Sequence, residues 1–241
     1  LKYLFRKNNW DLRAAFYFND EQGGVDGYVD DRTDRYSYDV IGVRTGTEGI
    51  YDAPATELSE NNTINLRLAY KFQIDSDFDI ELGASAQQGD LHDGTDSVGD
   101  QDAYALHLVG NYDRWNLQLQ TATYDYDLDS GEQVMVVGAY SFYDSIASSA
   151  DVHTANIAYS LPVSLGPVTN LTFYNDYSLV TNKSADLEDT TMNVLGVAVS
   201  AGGMYTYIDY VTAKNQPFIG GTMAGNGDTE RRFNINVGYY F

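Results

Sequence analysis

The sequence predicts an all-β protein, an antiparallel transmembrane β-barrel of about 12–16 strands with short turns at one end and long acidic loops at the other. Three observations predict it. Apolar and polar residues alternate along most of the chain, no stretch approaches the roughly 18–20 apolar residues of a membrane helix, and short connections alternate with long ones. Because a barrel strand presents an apolar side chain to lipid only at every second position, an overall polar chain still fits this fold.

The alternation itself defines the strands. The last segment is the clearest, since Phe233, Ile235, Val237, Tyr239 and Phe241 alternate with more polar neighbours. The same pattern predicts strands over 10–18, 64–74, 78–87 and 115–120, and further strands near 1–7, 103–112, 152–161, 168–178, 191–200 and 204–213. Segments 35–45 and 133–146 are weaker strand candidates, and no convincing helix of ten or more residues is present.

The connections fall into two groups. The short ones are 8–9, 75–77, 113–114, 164–167 and 201–203, and the long ones are 20–61, 88–102, 125–151, 182–190 and 214–230. This division predicts periplasmic turns at one end of the sheet and extracellular loops at the other. The turn at 8–9 is expected to place Arg6 opposite Asp11, and the turn at 113–114 to place Tyr112 opposite Trp115 in an aromatic girdle.

The strand count suggests that part of the barrel is missing. With 20–61 and 125–151 each treated as one loop, the count is eleven, and with the two weak strands included it is thirteen. A closed bacterial barrel normally has an even number of strands. We therefore expect residues 1–241 to form a single outer-membrane barrel domain. Either it is the C-terminal part of a longer barrel and lacks N-terminal strands, or the strand count is off by one.

Charge excludes some functions and is unevenly placed. The chain has 14 Lys and Arg against 35 Asp and Glu, a net charge of −21, which argues against a nucleic-acid partner. With no cysteine and three histidines, a zinc site is not favoured. The five long connections hold 27 of the 35 acids, whereas the strands and short turns are nearly neutral. Acidic loops attract cations at low salt.

Polar side chains on the alternating strands are the candidate pore lining. They are Arg6, Arg13, Arg67, Lys71, Asn116, Gln118, Gln120, Arg232, Asn234 and Asn236. If loop 20–61 folds inward, its acids face the basic residues of this set and create a transverse field. The alternative is structural, in which the bases pair across strands, Arg6 with Asp11 and Lys71 with Glu81.

A metal site and catalysis have weaker signals. Asp125, Asp127 and Asp129 followed by Gly131 have the alternating acids of a calcium loop without its terminal bidentate Glu, and a solvated acidic loop is the alternative. No Ser, His and Asp pattern for hydrolysis is present, so we expect no enzyme activity and no cofactor other than calcium on the acidic loops.

Three segments carry a resemblance to a known family. Residues 171–178, 207–218 and 232–241, about 30 in all, resemble Gram-negative outer-membrane porins of the superfamily that includes the phosphate-selective porins O and P. The terminal Phe241 also resembles the sorting signal of outer-membrane barrels. The resemblance implies a bacterial outer-membrane location, about 16 strands, a homotrimer and an inward-folded loop. It does not extend to phosphate selectivity, because the five lysines are dispersed and the loops are acidic.

We therefore expect a porin, a water-filled channel for passive diffusion of small hydrophilic solutes and ions with weak cation preference. Its surroundings are outer-membrane lipid and lipopolysaccharide. One alternative is a channel specific for a sugar or a small organic solute, motivated by the 21 tyrosines. The others are a surface adhesin or structural barrel without transport, and a soluble β-sandwich.

Overall fold

Two antiparallel β-sheets make up the structure, a computed structural model that describes residues 1–18, 38–225 and 227–240. The strands of the large sheet are β1 (Lys2–Lys7), β2 (Trp10–Tyr17), β5 (Ser59–Gln73), β6 (Phe78–His92), β7 (Ser97–Tyr112), β8 (Trp115–Leu128), β11 (Ser149–Leu165), β12 (Val168–Thr181), β13 (Thr190–Ala201), β14 (Met204–Lys214) and β15 (Thr229–Tyr239). Those of the small sheet are β3 (Asp39–Val43), β4 (Thr56–Glu57), β9 (Val134–Ala139) and β10 (Phe142–Ala147). In the described part of the chain, no helix has the length and apolar character that a membrane crossing requires.

The large sheet has eleven strands, which pair in the order β1-β2-β5-β6-β7-β8-β11-β12-β13-β14-β15. All five predicted short turns are tight connections between neighbouring strands of this sheet. Asn8 and Asn9 have φ of 49° and 69°, as the two-residue turn of a hairpin requires, and Asn tolerates this conformation better than most residues. Arg6 faces Asp11 across the first turn and Tyr112 faces Trp115 across the third, which confirms both predicted hairpins.

One predicted long loop is wrong. Strands β6 and β7 continue through most of 88–102 and are joined by a turn at residues 93–96. The turn is stabilised by the side chain of Asp93, whose Oδ1 accepts hydrogen bonds from the backbone N–H of Thr95 and of Asp96, both at 2.8 Å. The first part of the predicted loop 20–61, and Phe241, lie outside the described residues.

The two weak strand candidates belong to a separate sheet. Strands β3 and β4 come from the connection between β2 and β5, and β9 and β10 come from the connection between β8 and β11. They pair in the order β10-β9-β3-β4. The number of strands in the large sheet is therefore the eleven obtained when these two regions are counted as loops.

The main hydrophobic core lies between the two sheets. Val40, Val43, Met135 and Val137 of the small sheet pack against apolar residues near the long-connection ends of the large-sheet strands. Those residues are Leu58, Leu91 and Leu128. Since Met135 and Leu91 are fully buried, this contact holds the small sheet firmly on one face of the large one.

The large sheet is open in the described residues, because β1 and β15 at its two edges do not pair with each other. The closed barrel expected from the sequence is therefore not formed by these eleven strands alone. Strand direction explains why. All neighbours are antiparallel, so an odd number of strands leaves β1 and β15 running the same way, and direct closure would need a parallel pair.

One face of the large sheet, here called the apolar face, exposes hydrophobic side chains. Leu106, Leu195 and Phe233 are 61%, 60% and 63% exposed. On and just after β5, the apolar residues from Ile64 to Ile74 extend about 33 Å along the chain, or about 25 Å perpendicular to a membrane at a tilt of about 40°. Monomeric soluble proteins rarely expose a contiguous apolar surface of this size.

Aromatic residues border the apolar face at the short-turn end. Trp10 lies opposite Tyr70 with ring centroids 4.7 Å apart, and Phe78 lies opposite Tyr112 at 5.6 Å. Trp115 is opposite Tyr159, also at 4.7 Å. The row crosses neighbouring strands from β2 to β11, as the predicted girdle requires.

Candidate functional site

The ten candidate lining residues share one face of the large sheet, here called the polar face. Directly opposed residues of an antiparallel pair point to the same side, and alternate residues of a strand do too. The register can be followed across the sheet in a series of such pairs: Arg6↔Asp11, Arg13↔Arg67, Lys71↔Glu81, Glu81↔Val109, Asn111↔Asn116, Gln118↔Asn156, Asn156↔Asp176, Asp176↔Val194, Val194↔Val211 and Asp209↔Asn234. With alternation, these pairs place Gln120, Arg232 and Asn236 on the same face.

The basic residues of β1, β2 and β5 are clustered around one carboxylate. Asp11 accepts from Arg6 Nε at 2.6 Å, from Arg13 Nε at 2.8 Å and from Arg67 Nη1 at 3.2 Å. Arg13 and Arg67 face each other directly, and Asp11 between them offsets their repulsion. The arginines of this cluster therefore pair across strands, as the structural interpretation predicted, and they do so on the face that carries the other candidate lining residues.

The cluster continues to β6 and β7. Arg67 Nη2 donates to Glu81 Oε1 at 2.6 Å, and His107 Nε2 lies 3.3 Å from the same oxygen. His107 Nε2 is also 3.1 Å from Arg67 Nη2. Lys71 lies directly opposite Glu81, as the sequence predicted, but the Glu81 carboxylate contacts Arg67 and His107 and forms no ion pair with Lys71.

Lys71 starts a second row of polar contacts instead. Its Nζ is 3.1 Å from Asp79 Oδ1. Asp79 is two residues before Glu81 on β6, so it lies diagonally across from Lys71. Asn111 donates to the same Asp79 oxygen at 2.9 Å, Asn116 donates to Asn111 at 2.7 Å, and Gln118 donates to Asn116 at 2.9 Å. Neighbouring side chains thus orient each other from β5 to β8 and leave a hydrogen-bonding surface above the sheet.

A third contact on the polar face was missed by the sequence. The Tyr174 hydroxyl donates to Asp209 Oδ1, and the ring reaches it by lying over Gly196 of the strand between them. Tyr205, Tyr207 and the ring of Tyr240 are on the same face. Only the cross-strand register reveals that Tyr174 and Asp209 are neighbours.

The small sheet covers the polar face near the long connections. Tyr126 of β8 donates to Glu60 of β5 at 3.1 Å, and Tyr124 donates to the backbone oxygen of Ala147 at 3.2 Å. Tyr124, Tyr126 and Leu128 are an even number of residues from Gln118 and Gln120 on the same strand, so all five side chains point to the same face. The small sheet therefore packs on the face that carries the candidate lining residues. Two of the long connections, the one between β2 and β5 and the one between β8 and β11, therefore contribute strands to this side.

The small sheet also holds the loops that follow β12 and β14. The Thr222 hydroxyl donates to Asp144 Oδ1, and the rings of Tyr38 and Phe218 are 5.8 Å apart. Ser184 Oγ donates to the backbone oxygen of Gln133 at 2.7 Å. The small sheet therefore contacts parts of the large sheet that are far apart in its strand order, from Leu91 of β6 to the connection after β14.

Three buried charges lie in or beside the small sheet. Arg44 donates to Ser145 Oγ at 2.9 Å, to the backbone oxygen of Ile50 at 2.7 Å and to that of Ala53 at 3.2 Å, and burial lowers its pKa. Burial raises the pKa of Asp144. Lys183 Nζ donates to the backbone oxygens of Glu188 and Met223 and to Thr190 Oγ1 at 2.6–2.8 Å, and burial lowers its pKa to about 8.

The expected calcium loop is not a loop. Asp125 and Asp127 belong to β8, where alternate side chains stand about 6.6–7 Å apart, and Asp129 follows the strand. The described residues contain no group of three His, Cys, Asp or Glu side chains able to hold a metal ion. The extended backbone separates carboxylates that a calcium loop would bring together.

Comparisons with protein-family models, with curated proteins and with solved structures gave no match.

Proposed function

We propose that the chain forms most of the wall of an outer-membrane porin, a water-filled channel through which small hydrophilic solutes and ions diffuse passively. One observation carries the proposal. A single sheet places all ten candidate lining residues on the face that the small sheet partly covers and exposes hydrophobic side chains such as Leu106 and Leu195 on the other. Water inside and lipid outside are the surroundings that these two faces fit.

Closure of the sheet is part of the proposal. In a membrane, the open edges of β1 and β15 would leave backbone N–H and C=O groups without partners in lipid. An odd number of further strands between them would satisfy these groups and keep every pair antiparallel. The whole wall would then be longer than the eleven strands of this sheet, in a barrel that we propose to be trimeric and surrounded by lipid and lipopolysaccharide.

Weak cation preference follows from the charges. On the polar face, Asp11, Asp79 and Glu81 offset the nearby bases, so the wall attracts anions only weakly. The long connections supply most of the excess negative charge of the chain, which totals −21. Cations are therefore concentrated at the loop end, and the effect decreases as salt screens it.

Single-channel recording in a planar bilayer tests this function, with the full-length protein under a tenfold KCl gradient. We expect stepwise conductance with a reversal potential that indicates preference for K⁺. Preference for Cl⁻ would contradict the proposed selectivity and would mean that the Arg6, Arg13, Arg67 and Lys71 wall dominates. Protein that inserts into bilayers without conducting would overturn the channel and favour an adhesin or structural barrel.

A further inference from the structure

A cavity of about 420 Å³ lies between the small sheet and the polar face of the large sheet. Its lining includes three tyrosines and three carboxylates from both sheets, namely Tyr38, Tyr124, Tyr126, Asp39, Glu60 and Asp144. Pro217 and Met223, from the connection between β14 and β15, also contribute to it. The volume is within the roughly 300–1,000 Å³ of small-molecule sites, and among the described residues no Lys or Arg lines it.

Asp144 is the residue in this lining that indicates a ligand. It is 1% exposed, and its Oδ1 accepts both of its hydrogen bonds, from the Thr222 hydroxyl and from the Ser145 backbone N–H. Its other oxygen, Oδ2, receives no hydrogen bond from any described residue. A buried carboxylate oxygen without a donor is costly, and a cationic donor in the cavity would offset that cost.

The two nearest buried bases are committed elsewhere. Arg44 directs its guanidinium to Ser145 Oγ and to the backbone oxygens of Ile50 and Ala53. Lys183 uses its ammonium for Glu188, Thr190 and Met223. Among the described residues, neither base forms an ion pair with Asp144.

The aromatic residues add a second element of recognition. Tyr124 and Tyr126 lie edge to face with centroids 5.9 Å apart, and both line the cavity together with Tyr38. Ring faces attract cations, and Val40, Val137 and Ile146 supply surface for a hydrocarbon part. The combination of carboxylates, rings and aliphatic side chains fits a molecule that has a positive end and an apolar body.

We propose that this cavity is a binding site for a small organic cation with a primary ammonium group, which donates to Asp144 Oδ2 while its hydrocarbon part contacts the tyrosines. The functional consequence of this site rests on the proposed channel, because the small sheet lies where solutes would pass. In that channel, the site favours the passage of amine solutes. Binding itself does not depend on conduction.

Isothermal titration calorimetry of the detergent-solubilised full chain tests the site, with n-butylammonium chloride as probe. n-Butanol, which has the same hydrocarbon chain without the charge, and glucose are the comparison ligands. We expect saturable 1:1 binding of n-butylammonium, at least tenfold tighter than n-butanol and than glucose. Equal binding of n-butylammonium and n-butanol, tighter binding of glucose, or no binding of n-butylammonium would each overturn the proposal.

Matched variants locate the binding. Asp144→Asn keeps an acceptor for Thr222 and Ser145 while it removes the charge, and we expect n-butylammonium affinity to fall at least tenfold. Glu60→Gln keeps an acceptor for Tyr126 and provides a second test if Asp144→Asn does not fold. Asp186→Asn is the control, because it makes the same charge change outside the lining, at a φ of 52° that Asn tolerates. Equal affinity in the Asp144→Asn and Glu60→Gln variants and the parent would contradict the site.

Planar-bilayer recording separates failure of the site from failure of the channel. Binding without conductance would leave the site and remove the porin function. Conductance without binding would leave the porin and remove the site.

Discussion

The ring of His107 occupies the space that a side chain at Gly83 would fill, since a Cβ at Gly83 would lie 2.2 Å from His107 Cε1. From there His107 crosses β6 and places Nε2 at 3.1 Å from Arg67 on the next strand. Tyr174 has the same relationship to Gly196, over which it reaches Asp209. On the polar face, glycine in a middle strand thus lets a ring join residues of the strands on either side.

Gly83→Ala should therefore destabilise the protein through a specific clash. The new Cβ would also lie 2.6 Å from His107 Nε2 and 3.0 Å from Ala69 Cβ, so the ring must leave Glu81 and Arg67. We expect a loss of about 1–3 kcal/mol in the free energy of unfolding, measured in denaturant with the protein in micelles.

Two further variants distinguish this clash from a general effect of alanine in a strand. Gly110→Ala is the control, because its Cβ would meet nothing closer than 3.9 Å. The double variant Gly83→Ala/His107→Ala should recover most of the lost stability. A Gly83→Ala protein as stable as the Gly110→Ala protein would contradict the argument.

Ion selectivity should respond to Asp11, which offsets three arginines. Asp11→Asn leaves Arg6, Arg13 and Arg67 with a weaker partner on the polar face. A unit charge about 4 Å from an ion contributes about 1 kcal/mol in water. We expect the K⁺/Cl⁻ permeability ratio, obtained from the reversal potential, to fall about two- to fivefold.

The control for this measurement is Asp127→Asn, which removes the same charge from the apolar side of β8. It should leave the permeability ratio nearly unchanged. If both variants shift the ratio equally, the effect comes from the total charge of the protein and not from the pore lining.

Much of the large sheet could be predicted because its rules are local. Alternation places Leu66 and Arg67 on opposite faces, and turn residues such as Asn8 and Asn9 fix the register of a hairpin. The register then carries Arg6 and Asn236 onto one face, although they are at opposite edges of the sheet. The ten candidate lining residues follow from these two rules alone.

The small sheet could not be predicted in this way. Its strands pair residues far apart in sequence, such as Val40 with Val137, and pattern alone does not specify non-local pairing. Their hydrophobic runs do not alternate because both faces are buried, as with Met135 and Val136 at 0% exposure. The cavity and the position of Asp144 in its lining depend on this pairing, so no local sequence pattern indicates them.

The buried amine of Lys183 predicts a pH dependence. Its pKa is about 8 in the folded protein, below the 10.5 of an ordinary lysine, so the unfolded chain binds more protons between these values. Stability from this group therefore rises with pH over that window. Lys183→Met also leaves three acceptors without a donor and should be less stable throughout.

The parent should have a higher free energy of unfolding than Lys183→Met, and we expect this difference to widen by about 1–3 kcal/mol from pH 7.5 to 10.5. The measurement is far-UV circular dichroism during unfolding in urea. Lys214→Met is the control, since it removes an exposed lysine that pairs with Glu188 at 2.8 Å. Because the hydrogen bond to Glu188 raises the pKa of Lys214, the difference in free energy of unfolding between the parent and Lys214→Met should narrow slightly towards pH 10.5 and not widen. If the difference in free energy of unfolding between the parent and Lys183→Met narrows as pH rises, the predicted direction of the pH dependence is wrong.

The parity of the sheet leads to a test of closure. Because β1 and β15 run in the same direction, we propose an odd number of strands between them, so their outward side chains should be too far apart for a disulfide. The chain has no cysteine of its own, so any disulfide must come from the introduced cysteines.

Tyr3→Cys is combined in turn with Phe233→Cys, Ile235→Cys and Val237→Cys, and the full-length protein is oxidised in the membrane. We expect no intramolecular disulfide from these pairs, whereas Ile208→Cys with Ile235→Cys, which lie directly opposite on β14 and β15, should form one. A disulfide between β1 and β15 would mean that eleven strands close through a parallel pair, and that no further strands are needed.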